Sequence, residues 1–316
     1  MIFMQEYFQK ALIILLITAF TGPLAMAQKP AYRLFREDGK KIKYEKMLEA
    51  AEGADIVLFG EYHTNPISHW LQLELTTDLH KARGEALVLG AEMFEADNQL
   101  IMDEYLAGQI TETKFEEEAR LWKNYSTDYK PLVLIAKENK LNFVATNIPR
   151  RYANMVFKKG VSSLDSLSNE ALSYMAPLPL EYDTSLNCYK QLMGSVAGPM
   201  AEAPVADSIT PMISKDPMEG HGSTNLADAQ AIKDATMSYF ILENWRPGQL
   251  FIHYNGAYHS DEFESMNWFL KRDRPDLNII TISTVSQDDV TELEEESIGK
   301  ADFIIAVPST MTQTHR

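Results

Sequence analysis

The chain has 316 residues, with 45 Asp and Glu against 29 Lys and Arg, for a formal net charge of −16. Such acidity speaks against nucleic acid and anionic membrane surfaces as partners, and says little about small ligands. A single cysteine, Cys188, excludes an intramolecular disulfide framework, so apolar packing must supply the stability.

The first segment is not expected to belong to the fold. Leu12 to Phe20 is almost unbroken apolar sequence after Lys10, followed by Thr21, Gly22 and Pro23 and then by Ala25-Met26-Ala27, a small-x-small cleavage pattern. It reads as a secretory signal peptide over residues 1–27, too short to span a bilayer comfortably. A buried N-terminal helix would account for neither the turn breakers nor the cleavage pattern. A lipoprotein would need a cysteine at the cut. The expectation is an exported protein, periplasmic or secreted, without a lipid-anchor cysteine, whose residues 28–316 form one domain.

After a polar lead-in, Ile56–Phe59 reads as a fully apolar strand. Asn65-Pro66 opens a helix, with Asn as N-cap and Pro at the first helical position, and Gly84 ends it after Arg83. A strand is expected at Ala86–Leu89, a helix opening at Asp97, a charged helix over Thr111–Leu121, a helix over Lys130–Lys140 and a third strand at Asn142–Thr146. Further strands are expected at Gln249–His253, Asn278–Ile282 and Asp302–Val307, with a helix over Asp261–Leu270. Short apolar runs alternating with helices predict an α/β fold: a mostly parallel sheet flanked by helices. Between the third and fourth strands, about 152–243, the sequence predicts a helical insertion, with helices near Ser168–Met175 and Leu226–Leu242. The Pro-, Gly- and Met-rich stretch inside it reads as a mobile segment.

In open parallel sheets ligands sit beyond the carboxyl ends of the strands, so what each strand delivers there is informative. The first delivers Glu61 and His63, the second Glu92, the third Asn147 and Arg150, the fourth Asn255, Gly256 and His259. Each has a bland alternative: a solvated loop for Glu61, a helix cap for His63 or His259. Glu92 directly follows an apolar run and needs a partner, for which Arg150 is the natural candidate, the alternative for Arg150 being an anchor for a ligand carboxylate in cofactor binding. His253 reads as a core histidine, and His69 and His80 as surface or packing residues. His221, with Met212 and Met218 nearby, is ambiguous, and Cys188 reads as packing. Two chemistries fit Glu61, His63, Glu92 and His259: ligands to a divalent metal such as Mn or Zn that activates water, or a metal-free Glu–His general base in a hydrolase.

Five stretches, "GEYHTNPISHWLQLEL", "LGAEMFEADNQ", "TNIPRRYAN", "NLADAQAIKDATMSYFI" and "FIHYNGAYHSD", together resemble the ChaN-type haem-binding proteins. These belong to a superfamily that also holds erythromycin-esterase-like enzymes and the Tiki metalloproteases. The resemblance covers about Asp55 to Ile282. It implies a parallel sheet flanked by helices with an inserted helical subdomain. It also implies haem binding outside the cytoplasm in iron acquisition, alongside outer-membrane haem-uptake machinery, with haem held between the subunits of a homodimer and a tyrosine on the iron. Some relatives instead hydrolyse their substrates, and Glu61, His63, Glu92 and His259 match the elements they use, while Arg150 matches the family's "PR". For the tyrosine, the helical insertion offers Tyr174, Tyr182 and Tyr189, of which "PLPLEYD" places Tyr182 in a family-like turn. The missing anchor cysteine departs from the family pattern and puts membrane tethering in doubt, though not export.

Overall fold

The computed structural model describes residues 29–194 and 222–315; the signal-peptide expectation, the middle of the Pro- and Met-rich stretch, and His221, Met212 and Met218 lie outside them. Eight strands form one sheet: β1 (Arg33–Arg36), β2 (Lys41–Ile42), β3 (Ile56–Glu61), β4 (Leu87–Glu95), β5 (Phe143–Asn147), β6 (Leu250–Gly256), β7 (Ile279–Gln287) and β8 (Phe303–Pro308). Their order is β2-β1-β8-β7-β3-β6-β4-β5. All pairings from β3 to β8 are parallel, while β1 runs antiparallel to both β2 and β8. The fold class is α/β. The antiparallel edge pair is new relative to the sequence reading, because strands of four and two residues leave too short an apolar pattern to read.

Alternation along β3 sets the two faces. Val57 and Phe59 join the core beneath α2 (Pro66–Arg83), with Leu71, Leu75 and Leu79. Ile56 and Leu58 point the other way, into a cluster with Met237 and Ile241 of α9 (Gly222–Asn244) and Met266 and Leu270 of α10 (Met266–Asp273). α2 starts where expected: the Asn65 side chain accepts the backbone N–H groups of Ile67 and Ser68, Pro66 is the first helical residue, and Gly84 follows the last.

α1 (Tyr44–Glu52), α3 (Gln99–Leu106), α4 (Glu112–Glu118) and α5 (Lys130–Asn139) complete the helices before β5. Between β5 and β6 the described residues form α6 (Arg150–Lys159), α7 (Asn169–Leu172), α8 (Asn187–Gly194) and α9, with no strand among them. No helix among the described residues is long and apolar enough to cross a membrane.

Two elements depart from expectation near the strand ends. β4 does not stop at Leu89 but runs to Glu95, with its register against β5 shifting between Ala91 and Glu95, so Glu92 lies within the strand. The helix expected from Asp261 begins only at Met266, because Glu262, Phe263 and Ser265 have positive φ. That turn is held by outside partners: Glu262 N–H donates to the Lys300 carbonyl at 2.7 Å, and the Glu264 carboxylate accepts the N–H groups of Asn187 and Cys188 at the start of α8.

Candidate functional site

Three neighbouring strands deliver their polar residues at nearly one height. Glu61 ends β3 beside Gly256 of β6, and Ala91 of β4, one residue before Glu92, lies beside Tyr254. β6 then turns directly into His259. The convergence has two halves.

The first half is built around Glu61, which is buried. Its Oε1 accepts His63 Nδ1–H at 2.8 Å and the Tyr129 hydroxyl at 2.6 Å, and its Oε2 accepts Gln72 Nε2–H at 2.5 Å. His69, one turn into α2, places Nδ1 3.7 Å from Glu61 Oε2 and donates from Nε2 to the His63 carbonyl at 2.9 Å. Read from sequence as a surface or packing residue, His69 instead braces both Glu61 and the backbone of His63.

The second half is built around Glu92 and His259, each 1% exposed. Glu92 Oε2 accepts the Gly256 N–H at 2.8 Å, and its Oε1 is 3.2 Å from His259 Nε2. His259 Nδ1 donates to Asp234 Oδ1 on α9, and Asp234 Oδ2 accepts the Tyr189 hydroxyl of α8 at 2.8 Å. Gln230 Nε2 is 3.1 Å from one ring nitrogen and 3.4 Å from the other. His259 thus has a carboxylate near each ring nitrogen, hydrogen-bonded at Nδ1 and in ion-pair contact at Nε2.

The halves meet at Gly256. A Cβ there would come within 2.7 Å of His63 Nε2 and 3.6 Å of Glu92 Oε2. The missing side chain is what lets the His63 ring lie over the strand end. With 11% of its side chain exposed, against none of Glu61's, His63 is the member of the first half that solvent reaches, and Trp122 packs edge-on against it.

The electrostatics follow from burial and pairing. Burial pushes both glutamates up, but the His69 charge and the His63 bond hold Glu61 below the usual carboxylate range, and His259 holds Glu92 well below it. Burial lowers the imidazoles, yet Glu61 and Glu92 keep His63 above its ordinary value, and Glu92 and Asp234 carry His259 up to about 9. His259 is therefore protonated at neutral pH, and both imidazoles face carboxylates. Burial lifts the Asp234 carboxyl, bringing its proton affinity closer to that of His259, and depresses the buried Lys233 ammonium, which Glu92 and Asp234 oppose.

The structure thus brings Glu61, His63, Glu92 and His259 together. It does not pair Glu92 with Arg150, as the sequence suggested. Arg150 is exposed at the start of α6, while Glu92 has the Gly256 N–H on Oε2 and His259 Nε2 in ion-pair contact with Oε1. As a metal shell the four residues do not fit as they stand. Among the described residues no group of three or more His, Cys, Asp or Glu side chains is placed to hold an ion, and His63 Nδ1 and both His259 nitrogens already face carboxylates. His253 is a core residue, between Thr146 and Asn255, its basicity lowered to about 4 by burial. Cys188 is buried, with burial pushing its thiol up to about 12.

The tyrosines differ among themselves. Tyr189 is 0% exposed and donates to Asp234, and Tyr182, edge-on to it, donates to Asp228 at 2.6 Å. Burial and these carboxylates raise both phenols, the reverse of what a ready tyrosinate needs. Tyr174 is half-buried, and its hydroxyl makes no hydrogen bond to the described residues.

Sequence reasoning missed Gln72, Tyr129, Gln230, Lys233 and Asp234. The last three carried a signal: they fall at i, i+3 and i+4 of α9, three polar residues on one buried helix face that should be apolar.

A profile of the family described as "Haem-binding uptake, Tiki superfamily, ChaN" matches residues 47–270. No curated protein matches the sequence. Among solved structures, ChaN of Campylobacter jejuni, described with cofacial haem binding, superposes with a TM-score of 0.61 at 15% identity, covering 87% of this chain and 96% of that one. An erythromycin esterase, EreC, in the open conformation of a point mutant, gives a TM-score of 0.47 at 10% identity, covering 90% and 98%. A Bacillus cereus protein gives 0.48 at 12% identity, covering 90% and 97%. The ChaN likeness shows a shared fold, and the profile spans most of the chain. The chain belongs to the haem-binding uptake family of the Tiki superfamily that includes ChaN.

Proposed function

We propose that this chain is an exported haem-binding protein of haem and iron acquisition, working as a homodimer when haem is bound and delivering to, or receiving from, outer-membrane uptake machinery. The observation that carries this reading is the family match over residues 47–270, supported by the haem-bearing ChaN structure that shares the fold. Export rests on the apolar N-terminal segment and its Ala25-Met26-Ala27 pattern. Of the tyrosines in the helical segment, Tyr174 suits an iron ligand best, because its hydroxyl is not engaged by a carboxylate. Ferric haem, when bound, would supply a Lewis-acidic iron for a hard anionic oxygen. The test is a titration of the purified protein with hemin. A shifted, saturable Soret band is expected, and its absence removes the reading.

A second reading is favoured by the pairing of two buried carboxylates with two imidazoles around Gly256: a metal-free hydrolase. Glu61 fixes the His63 ring through Nδ1, leaving Nε2 as the proton-bearing atom a substrate would meet. Glu92, held by His259 and the Gly256 N–H, lies across from it. Ester and peptide substrate panels test this, with Glu92→Gln and His63→Ala as controls. An inactive wild type, or two fully active variants, removes it.

A further inference from the structure

Among the contacts that the segment between β5 and β6 makes with the strand-end site, the one through Asp234 is used by neither reading. Asp234 of α9 is 0% exposed, and its two carboxylate oxygens serve different elements. Oδ1 accepts His259 Nδ1–H, and Oδ2 accepts the Tyr189 hydroxyl at 2.8 Å. Tyr189, also 0% exposed, sits in α8, whose first N–H groups are held by Glu264 from the turn that follows His259, at 3.0 Å and 2.8 Å. The Tyr258 hydroxyl donates to the Cys188 carbonyl in the same helix. His259 is therefore bound from its own turn, through Glu264 to α8 and through Tyr189 and Asp234 back to its ring.

The ring has one rotational freedom that matters, and Asp234 removes it. With Nδ1 directed at a buried carboxylate, Nε2 is left in ion-pair contact with Glu92 Oε1, 3.2 Å away. A carboxylate behind an imidazole also fixes which ring nitrogens carry protons. The Tyr189 phenol satisfies the second oxygen, so the carboxylate need not turn to find another donor. Structural packing alone would not require this: α8 and α9 already share a cluster of Leu192, Leu226 and Ile232, and a buried carboxylate costs stability without specific partners.

We propose that Asp234, backed by Tyr189, is the positioning residue of the strand-end site: it fixes the His259 ring so that Nε2 faces Glu92. This rests on the hydrolytic reading for its functional consequence, while the ring geometry can be read without any activity.

The test uses the full chain labelled with ¹⁵N-histidine. The wild type is expected to show a far-downfield imidazole N–H proton, assigned to His259 by its loss in His259→Gln. In Asp234→Asn, shown folded by its amide spectrum, that signal moves upfield or vanishes. Tyr189→Phe keeps the carboxylate, so the signal persists at a changed position. In the hydrolytic assay Asp234→Asn lowers kcat by about tenfold or more with KM unchanged, the loss that follows when a carboxylate no longer holds an imidazole in its working tautomer. A folded Asp234→Asn that keeps both the wild-type signal and wild-type kcat overturns the proposal. If Asp234→Asn does not fold, a Tyr189→Phe protein with an unmoved signal overturns it instead. An inactive wild type with the expected signal changes removes the hydrolytic reading and leaves the positioning role standing.

Discussion

His63 Nε2 lies where the side chain of residue 256 would be: a Cβ on Gly256 would approach it to 2.7 Å and Cε1 to 2.9 Å. Gly256 has φ −58°, so nothing in its backbone conformation requires glycine, and the constraint is purely one of space. Gly256→Ala must therefore push the His63 ring off the strand end while leaving β6 paired. The ring is partly exposed and can move, so the cost to stability should be at the low end of overpacking, roughly 1 kcal/mol. Activity dependent on His63 should fall much further than stability does. A variant with wild-type activity in the hydrolytic assay would show that His63 is not held there for function.

Glu61 accepts three donors at once, from Tyr129, Gln72 and His63, in a place water does not reach. Glu61→Ala takes the acceptor from all three. The expected destabilisation is about 3–5 kcal/mol, the range for breaking a buried pair by removing one partner. Glu61→Gln keeps an acceptor and should cost less, about 1–3 kcal/mol. Urea unfolding of the three proteins checks the order. Equal midpoints for wild type and Glu61→Ala would mean the network contributes nothing.

The pH dependence of His259 follows from its two carboxylates. Its value of about 9 in the fold, against about 6.5 for an unperturbed histidine, means the charged ring stabilises the folded state. That contribution is complete below about pH 6.5 and is lost as pH rises through 9; the difference amounts to about 3 kcal/mol. Glu61 and Glu92, both held low, behave oppositely: their contribution is present above the ordinary carboxylate range and is lost as pH falls. The stability gap between wild type and His259→Gln should therefore narrow as pH is raised from 6.5 past 9. Denaturant titrations at a series of pH values measure it, and a gap independent of pH contradicts the assignment.

How far these groups were legible in the sequence depends on how local their signals are. Asn65-Pro66 announces the start of α2 because capping is a matter of neighbouring residues, and the structure has both hydrogen bonds. The apolar strands and their polar ends were legible for the same reason. Glu92 was read as following its strand, because a carboxylate inside a buried strand contradicts the apolar pattern unless its partner, His259, is already known. The partners of Glu61 were not legible: Gln72 and Tyr129 come from α2 and the turn before α5, and only the fold brings them to β3. The turn at 262–265 was misread as helix because Lys300 and the first residues of α8, both distant in sequence, dictate its backbone.

The three tyrosines give the haem reading its sharpest internal test. Tyr182 and Tyr189 hold their protons through burial and through Asp228 and Asp234, so an iron bound at either would first have to break a hydrogen bond to a carboxylate, part-buried at Tyr182 and buried at Tyr189. Tyr174 has no such bond among the described residues. Tyr174→Phe should therefore change the hemin-loaded Soret band and weaken hemin binding by tenfold or more, on the order of 1.4 kcal/mol. Tyr182→Phe should leave the spectrum in place and instead lower stability by about 1 kcal/mol, since the part-buried Asp228 loses its phenol partner. A Soret band that survives in Tyr174→Phe and is lost in Tyr182→Phe would move the iron to Tyr182, and with it the face of the helical segment that haem approaches.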